Sequence, residues 1–411
     1  MKNLFTILFF LLLFIREISP QWYQQTSNTT EDLLSISFTD INNGTAVGKN
    51  GTILRTTDGG MNWNLQSSGT TKRLWDVFFT DENFGTAVGD DGVIVRTTNG
   101  GIDWTLQNSG TTSWLNEVNF TDANTGTVVG VNGTILRTTN GGTTWTPQVS
   151  GTTEYLYCVC FVNANVGTTI GYDWTNFAEI ILRTTNGGAT WFEQTSSANY
   201  PFFGVSFIDE NNGTAVGTSG EIIRTTDGGT TWTTQASGVI YTLNCVSFTD
   251  INTGTAVGGN GTIIRTTNGG TAWEIQESGT TKWLDGVCFI DSNFGWAVGK
   301  DGTIHHTTNG GVVFVEEEKV NKSPNDFSLS QNYPNPFNPS TVIKYSIPIV
   351  SQVTIKVFDV IGNEIETLVD EEKASGTYKL TWYAAQLPAG VYFYKLQTGN
   401  FVETKKMVLL K

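Results

Sequence analysis

The side chains that most often carry chemistry are few in this chain of 411 residues, and their spacing does not suit catalysis. His305 and His306 are the only histidines, and neighbours on a strand point to opposite faces, so they cannot chelate one metal ion together. No Ser-His-Asp set, phosphate-cradling loop or Cys-His cluster occurs. The sequence therefore assigns no catalytic residue, no metal site and no cofactor.

The carboxylates that recur in the sequence are better explained as turn-forming groups. The segment "ILRTTNGGTTW" (135–145) is one of seven similar copies in the chain and fits the Asp-box pattern S/T-x-D/N-x-G-x-x-W. Only Asp58 and Asp227 are acidic, whereas the other copies carry an amide at Asn99, Asn140, Asn186, Asn268 and Asn309. Since an amide cannot act as a general base, we interpret the segment as a hairpin in which this side chain bonds its own turn and the Trp covers it.

The spacing of these copies predicts the fold. Aligned on Arg55, Arg96, Arg137, Arg183, Arg224, Arg265 and finally His306, they lie 41, 41, 46, 41, 41 and 41 residues apart. Each period divides into four short strands separated by turn residues, which is typical of one blade of a β-propeller. The sequence therefore predicts an all-β protein whose main part is a seven-bladed β-propeller. The arginines are predicted to join neighbouring blades, and a cationic ring for an anionic ligand is the alternative.

The sequence offers two ways to close the ring. Trp22 lies 41 residues before Trp63 and continues the Trp period backwards, so an N-terminal strand can complete the seventh blade. Phe314 stands in the same register after the last copy. We favour the strand at Trp22, because a shared blade pins the two chain ends together.

The variable loops nominate a binding face. In a propeller, the loops between blades and those between the second and third strands share one face of the disc. Aromatic residues there can stack on sugars or grip a polypeptide, although they can equally fill gaps between blades. The candidate ligand-binding residues are Trp75, Trp114, Tyr155, Tyr157, Tyr172, Trp174, Tyr200, Tyr241 and Trp283.

The chain ends and the charge indicate an exported protein. Residues 1–20 carry Lys2 and an apolar run too short to span a bilayer, and are predicted to be a signal peptide. The net charge of −15 argues against nucleic acid as a partner, and no later segment is predicted to cross a membrane. The inner-strand cysteines are expected to be four buried free thiols, at Cys158, Cys160, Cys245 and Cys288.

The predicted domains are the propeller at 21–316, a linker at 317–330 and a small immunoglobulin-like β-sandwich at 331–411. The sandwich is indicated by "VIKYSIP", "VTIKVFDV" and "GVYFYKL", which alternate apolar and polar residues.

Both parts resemble known families. "GTAVGxxGTIxRTTxGGxxW" is similar to the Asp-box (BNR-type) repeats of the photosystem II assembly and stability factors. "NYPNPFNPST" (332–341) and "KKMVLLK" (405–411) resemble the type A C-terminal sorting domain of the type IX secretion system. The second resemblance implies export through the periplasm, recognition by the secretion translocon, and release or attachment at the outer cell surface.

These observations support three hypotheses for function. The first is a non-enzymatic surface or secreted propeller that binds a glycan or a surface protein through its aromatic loops. The second is a glycoside hydrolase of the sialidase or xyloglucan-cleaving kind, for which the available carboxylates are Asp90, Asp91, Asp173, Asp285 and Asp301. The third is a factor that assembles an envelope complex. The sequence favours the first, because no catalytic set can be assembled.

Overall fold

The computed structural model describes residues 21–196, 198, 200–311, 326–337, 340–384 and 387–410, with Tyr383 described by its backbone alone. These residues form two compact units, divided between 311 and 326. The predicted signal peptide, Phe314 and most of the predicted linker lie outside the described residues, so those predictions and the domain limits stay predictions.

The first unit contains seven antiparallel sheets of four strands each. Strand β1 (Tyr23–Gln25) precedes blade 1, which comprises β2 (Leu33–Phe38), β3 (Gly44–Gly48), β4 (Ile53–Thr56) and β5 (Asn64–Gln66). Blade 2 comprises β6 (Leu74–Phe79), β7 (Gly85–Gly89), β8 (Ile94–Thr97) and β9 (Thr105–Gln107), and blade 3 comprises β10 (Leu115–Phe120), β11 (Gly126–Gly130), β12 (Ile135–Thr138) and β13 (Thr146–Gln148). Blade 4 comprises β14 (Tyr155–Phe161), β15 (Gly167–Asp173), β16 (Ala178–Thr184) and β17 (Phe192–Gln194).

Blade 5 comprises β18 (Phe202–Phe207), β19 (Gly213–Gly217), β20 (Ile222–Thr225) and β21 (Thr233–Gln235). Blade 6 comprises β22 (Leu243–Phe248), β23 (Gly254–Gly258), β24 (Ile263–Thr266) and β25 (Glu274–Gln276). Blade 7 contributes β26 (Leu284–Phe289), β27 (Gly295–Gly299) and β28 (Thr303–Thr307). Single 3₁₀ turns follow the second strand at Lys49–Gly51, Asp90–Gly92, Thr218–Gly220, Gly259–Gly261 and Lys300–Gly302.

The core lies between the blades rather than within any one of them. The second strands are buried along their whole length, as β3 and β7 illustrate. At the junction of blades 1 and 2, Val47 and Ile53 pack against Leu74, Val77 and Trp104. A sheet that is apolar on both faces can hide them only between two neighbours. The inner strands β2 and β26 also lie side by side, which closes the ring at seven blades.

The N-terminal strand completes blade 7, which confirms the predicted closure through Trp22. Strand β1 pairs antiparallel with β28, so that Tyr23 lies opposite His306. The indole of Trp22 is 2% exposed and donates a hydrogen bond of 2.9 Å to Gln276 Oε1 in blade 6. Its ring meets the Phe289 ring edge-on at 5.8 Å. The strand therefore connects the beginning of the propeller to its last two blades.

The Asp-box segment is a hairpin held by its own side chains. Thr138 Oγ1 accepts the Gly142 N–H at 2.9 Å and donates to Asn140 Oδ1 at 3.0 Å. The Thr144 N–H also donates to Asn140 Oδ1, at 3.0 Å. Gly142 has a φ of +79°, which a residue without Cβ adopts easily. The interpretation of these carboxylates and amides as turn-forming groups is therefore confirmed.

The repeated arginines connect each blade to the next. The Arg137 guanidinium donates to Thr127 Oγ1 of its own blade at 2.5 Å and to the Ala164 carbonyl of the following blade at 2.6 Å. It also lies 4.7 Å from the centroid of the Phe161 ring. The other five arginines repeat this arrangement at Arg55, Arg96, Arg183, Arg224 and Arg265. The predicted blade-to-blade clamp is confirmed.

The junction between blade 7 and blade 1 is packed without an arginine. His306 occupies the arginine position and stacks on Trp296, with the ring centroids 4.5 Å apart and the planes 4° apart. Trp296 in turn stacks on Phe38 of blade 1 at 3.5 Å. Burial lowers the pKa of His305 and of His306 to about 4, so both are neutral at pH 7. These histidines are part of the packing at the seam of the ring.

The second unit consists of two antiparallel sheets that share one core. The first contains β29 (Ser328–Leu329), β30 (Ser340–Ile347) and β33 (Gly376–Tyr383), in that spatial order. The second contains β32 (Glu364–Lys373), β31 (Ser351–Phe358), β34 (Gly390–Thr398) and β35 (Phe401–Leu409), again in spatial order. Ile343, Ile355 and Tyr394 are buried together in that core. The predicted small β-sandwich is thus observed.

Candidate binding site

The loops predicted to share one face of the propeller do so. Lys72, in the loop that enters blade 2, forms an ion pair of 2.5 Å with Asp91, in the turn between the second and third strands. The backbone N–H of Asp90 donates to the Arg73 carbonyl at 3.0 Å. Both loop sets therefore surround the same opening of the central channel.

A β-bulge near the start of every inner strand directs one side chain into that channel. The register of the inner pair shifts after the first strand residue, for example between Leu74 and Asp76, so that Trp75 has no partner across the pair. The same shift occurs in each blade and produces one such residue per blade. We call these residues the throat ring: Leu34, Trp75, Asn116, Tyr157, Phe203, Asn244 and Asp285.

The residues that follow them in the inner strands form a second ring. This constriction ring comprises Ser35, Asp76, Glu117, Cys158, Gly204, Cys245 and Gly286. Together the two rings line a cavity of ≈ 330 Å³, with Trp114 and Tyr155 at its mouth. At Gly204 the inner strand of the next blade lies close, because an added Cβ would be 3.0 Å from Cys245 Cα.

The constriction ring satisfies the open edge of the next blade. No further strand pairs with the inner strand on the side that faces the central channel. The backbone N–H groups on that side therefore need other acceptors. Asp76 Oδ2 accepts the Val118 N–H at 2.9 Å, Glu117 Oε2 accepts the Val159 N–H at 3.2 Å, and Cys158 Sγ accepts the Val205 N–H at 3.2 Å. Serine, carboxylate and thiol side chains thus perform the same task in different blades.

This arrangement explains the cysteines. All four are free, as expected, but only Cys158 is fully buried. Cys160, Cys245 and Cys288 are half-buried, because no further strand covers the inner edge of the blades. Burial raises the pKa of the Cys160 thiol to about 11 and that of Cys245 to about 12, so these thiols are protonated at neutral pH.

The carboxyl groups of the cavity titrate abnormally because they are desolvated. Burial raises the pKa of Asp76, and burial together with the Asp76 charge raises the pKa of Glu117 well above its usual value. Burial raises the pKa of Asp285 to about 6, although the Lys300 ammonium opposes the shift. The Lys300 Nζ lies 4.0 Å from Asp285 Oδ2 and 3.0 Å from Asp32 Oδ2, so Asp32 is its closer partner.

Four of the predicted contact residues line the cavity: Trp75, Trp114, Tyr155 and Tyr157. Trp75 is fixed by a hydrogen bond of 2.7 Å from its indole N–H to Asp90 Oδ1 and by the Arg73 guanidinium, 4.5 Å from the ring centroid. Tyr157 lies 6.1 Å from Tyr155 between ring centroids. The other side of Tyr157 meets Phe203 at 5.2 Å, so Tyr155, Tyr157 and Phe203 form a continuous aromatic wall.

Blade 4 carries an insertion, because Arg183 follows Arg137 by 46 residues rather than 41. Residues of this insertion support the aromatic wall. Tyr172 is 4% exposed and packs on Trp174 at 4.9 Å. The Trp174 indole donates a hydrogen bond of 2.8 Å to the Tyr157 hydroxyl. Tyr172 therefore acts through packing.

Tyr200, Tyr241 and Trp283 are 49%, 44% and 48% exposed, and they lie outside the residues that line the cavity.

Asp76 and Glu117 also line the cavity, although the sequence did not predict them as site residues. Of the carboxylates considered for hydrolysis, Asp285 alone borders the cavity. A signal was present, because the two positions after the repeated inner-strand Leu or Phe vary from blade to blade while their surroundings recur.

Among the described residues, no group of three His, Cys, Asp or Glu side chains is arranged to hold a metal ion. No helix in that part of the chain is long and apolar enough to span a membrane.

Comparison with known families identifies both units. Residues 15–105, 103–202 and 193–277 match the family described as photosynthesis system II assembly factor YCF48. Residues 331–410 match the family described as secretion system C-terminal sorting domain. No curated protein sequence matches the chain.

Solved structures support the same fold. A structure described as YCF48 bound to D1 peptide superposes with a TM-score of 0.61 at 18% identity, covering 70% of this chain and 95% of that one. A structure of YCF48 from Cyanidioschyzon merolae gives a TM-score of 0.59 at 22% identity, covering 70% of this chain and 98% of that one. Both likenesses concern the propeller fold.

Proposed function

Since the chain belongs to the photosynthesis system II assembly factor YCF48 family, we propose that it is a binding propeller that grips a polypeptide segment at the aromatic mouth of its central cavity. Its C-terminal sorting domain indicates export by the type IX secretion system to the cell surface or the extracellular space. The proposed partner is therefore a polypeptide that is accessible outside the cell.

The aromatic mouth carries this proposal. Trp114 and Tyr155 are 46% and 39% exposed and stand at the starts of the consecutive blades 3 and 4, at the entrance of a cavity of ≈ 330 Å³. Large rigid aromatic side chains at the rim of a pocket are typical anchors of protein interfaces. A cavity of this volume holds one or two side chains rather than a folded domain.

The comparison structure described as YCF48 bound to D1 peptide supports a polypeptide as the ligand class. The same fold there accompanies a peptide ligand. A glycan is the alternative, because sugars also stack on exposed Trp and Tyr rings. A factor that assembles envelope complexes would use the same surface, and its partner would co-purify with the protein from cell envelopes.

The test presents the purified chain with a displayed library of random heptapeptides and with an array of glycans. We expect peptide binders whose affinity falls at least tenfold in the double variant Trp114→Ala/Tyr155→Ala. The matched control is Tyr200→Ala/Tyr241→Ala, which removes two aromatic side chains of similar exposure outside the cavity. The absence of peptide binders, or equal losses in both double variants, would contradict the proposal.

A glycoside hydrolase is the second candidate, and the observation that favours it is the pair Asp76 and Glu117. Raised pKa values in a cavity are typical of general acids. Both groups, however, accept backbone N–H groups in the manner of Cys158 and so already have a structural task. Hydrolysis of fluorogenic glycosides that Glu117→Gln abolishes would favour this candidate.

A further inference from the structure

The cavity offers many hydrogen-bond acceptors and few free donors. Asp76, Glu117 and Asp285 border it, and the lining contains no Lys, Arg or His. The side-chain amides of the throat are largely used. One N–H of Asn116 Nδ2 donates to the Leu156 carbonyl at 2.8 Å, and Asn244 Nδ2 donates to the Leu284 carbonyl at 2.9 Å and to Asp285 Oδ1 at 3.4 Å. An anionic group would therefore find few partners here.

The remaining side-chain donors lie on one side of the cavity. They are the Tyr155 and Tyr157 hydroxyls, the Trp114 indole and the second N–H of Asn116, all of them in or next to blades 3 and 4, while the Trp75 indole is engaged by Asp90. A sugar ring needs donors and acceptors around its whole edge. An ammonium or guanidinium group is donor-only, and it matches a cavity rich in acceptors.

The aromatic wall and the Asp285 carboxylate lie on opposite sides of the throat. Tyr157 is in blade 4 and Asp285 is in blade 7, which are three blades apart in the ring of seven. A cation seated between them would have the Tyr155, Tyr157 and Phe203 rings on one side and a carboxylate on the other. Sites that combine aromatic rings with a carboxylate commonly bind organic cations.

The Asp285 charge is incompletely compensated. Its Oδ2 atom is buried and accepts no hydrogen bond from the described residues, and Lys300, at 4.0 Å, is held more closely by Asp32. Asn244 Nδ2 approaches Oδ1 only at 3.4 Å. The net charge of the chain, −15, adds a long-range attraction for positive ligands.

We propose that the throat cavity selects one cationic side chain, Lys or Arg, of the polypeptide that binds at the aromatic mouth. This inference rests on the proposed function, because it assumes a polypeptide ligand. The mouth provides contact area, and the acceptor-rich throat provides the selectivity for charge. The preferred ligand is an extended segment with a single basic residue near an apolar or aromatic one.

The test uses the heptapeptides selected with the purified chain. We expect the selected sequences to share a Lys or Arg at one position, and replacing that residue by Gln should weaken binding at least tenfold in isothermal titration calorimetry. Asp285→Asn should weaken the basic peptide at least fivefold and leave the Gln peptide unchanged. The variant should fold, because Asn116 and Asn244 occupy the same ring position in blades 3 and 6; thermal unfolding verifies this.

Asp301→Asn is the matched control for charge. Asp301 is exposed on the same face and pairs with Lys282 at 3.4 Å, outside the cavity lining. Its substitution removes the same unit of charge and should change the affinity less than twofold. An equal loss of affinity in both variants would show that only the net charge of the protein matters, and it would overturn the inference.

The inference and the proposed function fail in different ways. Peptides that need Trp114 and Tyr155 but tolerate Gln in place of every basic residue would overturn the inference and leave the proposed function intact. Binding of glycans alone at the same mouth would overturn the peptide assignment and the selection of a basic side chain together. No peptide or glycan binding would overturn both.

Discussion

The N-terminal strand should be the weakest joint of the ring, and Trp22→Ala tests this. Trp22 is 2% exposed, and substituting a buried large aromatic residue by Ala costs about 3–5 kcal/mol. The substitution also removes the donor to Gln276 Oε1. A loss of about 4 kcal/mol would be a large part of the 5–15 kcal/mol typical of a folded domain.

The expected damage is larger than a local cavity. Trp22 and the three residues of strand β1 together contact three blades. Strand β1 pairs with β28 in blade 7, Trp22 donates a hydrogen bond to blade 6, and Gln25 Nε2 donates to the Gly59 carbonyl of blade 1 at 2.9 Å. Without the indole, we expect this strand to detach and the ring to open between blades 7 and 1.

Urea unfolding followed by tryptophan fluorescence measures the free energy, and limited proteolysis with mass spectrometry locates the opening. Trp145→Ala is the matched control, because Trp145 is also buried and its indole also donates to a Gln of the preceding blade. Trp145 is held in the middle of the chain, so its loss should not free the N-terminus. A loss below about 1 kcal/mol for Trp22→Ala, or N-terminal cleavage no faster than in the control, would refute the reasoning.

Three further outcomes follow from the geometry. Gly142→Ala places a Cβ 2.1 Å from Gln107 Oε1 and should destabilise the propeller by about 2–4 kcal/mol in urea unfolding. The control Gly110→Ala has a similar φ but no atom within 4 Å of the added Cβ, so it should show only the left-handed backbone penalty of about 1–2 kcal/mol. Equal losses in the two variants would contradict the clash. Arg137→Met removes the bond to the Ala164 carbonyl and should lower the unfolding free energy by about 1.5–3 kcal/mol, and an unchanged midpoint would contradict the clamp. Burial raises the pKa of Asp285 from 3.8 to about 6, so the folded chain binds this proton more tightly than the unfolded chain. The stabilising contribution is therefore complete below pH 3.8 and is lost as the pH rises through 6. Asp285→Asn should flatten the curve of stability against pH over that window and raise stability at pH 7 by roughly 1–3 kcal/mol, and an unaltered curve would contradict the desolvation.

The periodic features of the fold were predictable from the sequence because each has one local cause that is repeated. The number of blades follows from the spacing of the Arg residues, and the closure follows from the position of Trp22 in the Trp period. The role of Asn140 follows from the chemistry of an amide in a tight turn. Repetition makes such inferences strong, since one wrong copy does not disturb the pattern.

The cavity was harder to predict because it depends on a bulge. A shift of one residue moves Trp75 from the sheet face to the channel, and the strand sequence alone does not show where the shift occurs. The insertion in blade 4 presented a related difficulty. It lengthens β15 and β16 to seven residues each, so that Tyr172 pairs with Glu179 in the sheet.

The side chains of the constriction ring show that capping the next blade does not require a carboxyl group. Within the ring, the N–H of the next blade is capped by a serine hydroxyl at Ser35 and by a thiol at Cys158. Two residues after Glu117 in the same strand, the amide oxygen of Asn119 caps the next blade in the same way. None of these groups carries a charge at neutral pH. The same task at Asp76 and Glu117 is performed by carboxyl groups whose pKa values are raised by burial, a desolvation that a neutral cap would avoid. The stability of the ring therefore favours a neutral cap at these two positions. Under the proposed function, the carboxyl groups there would add to the acceptors that border the cavity.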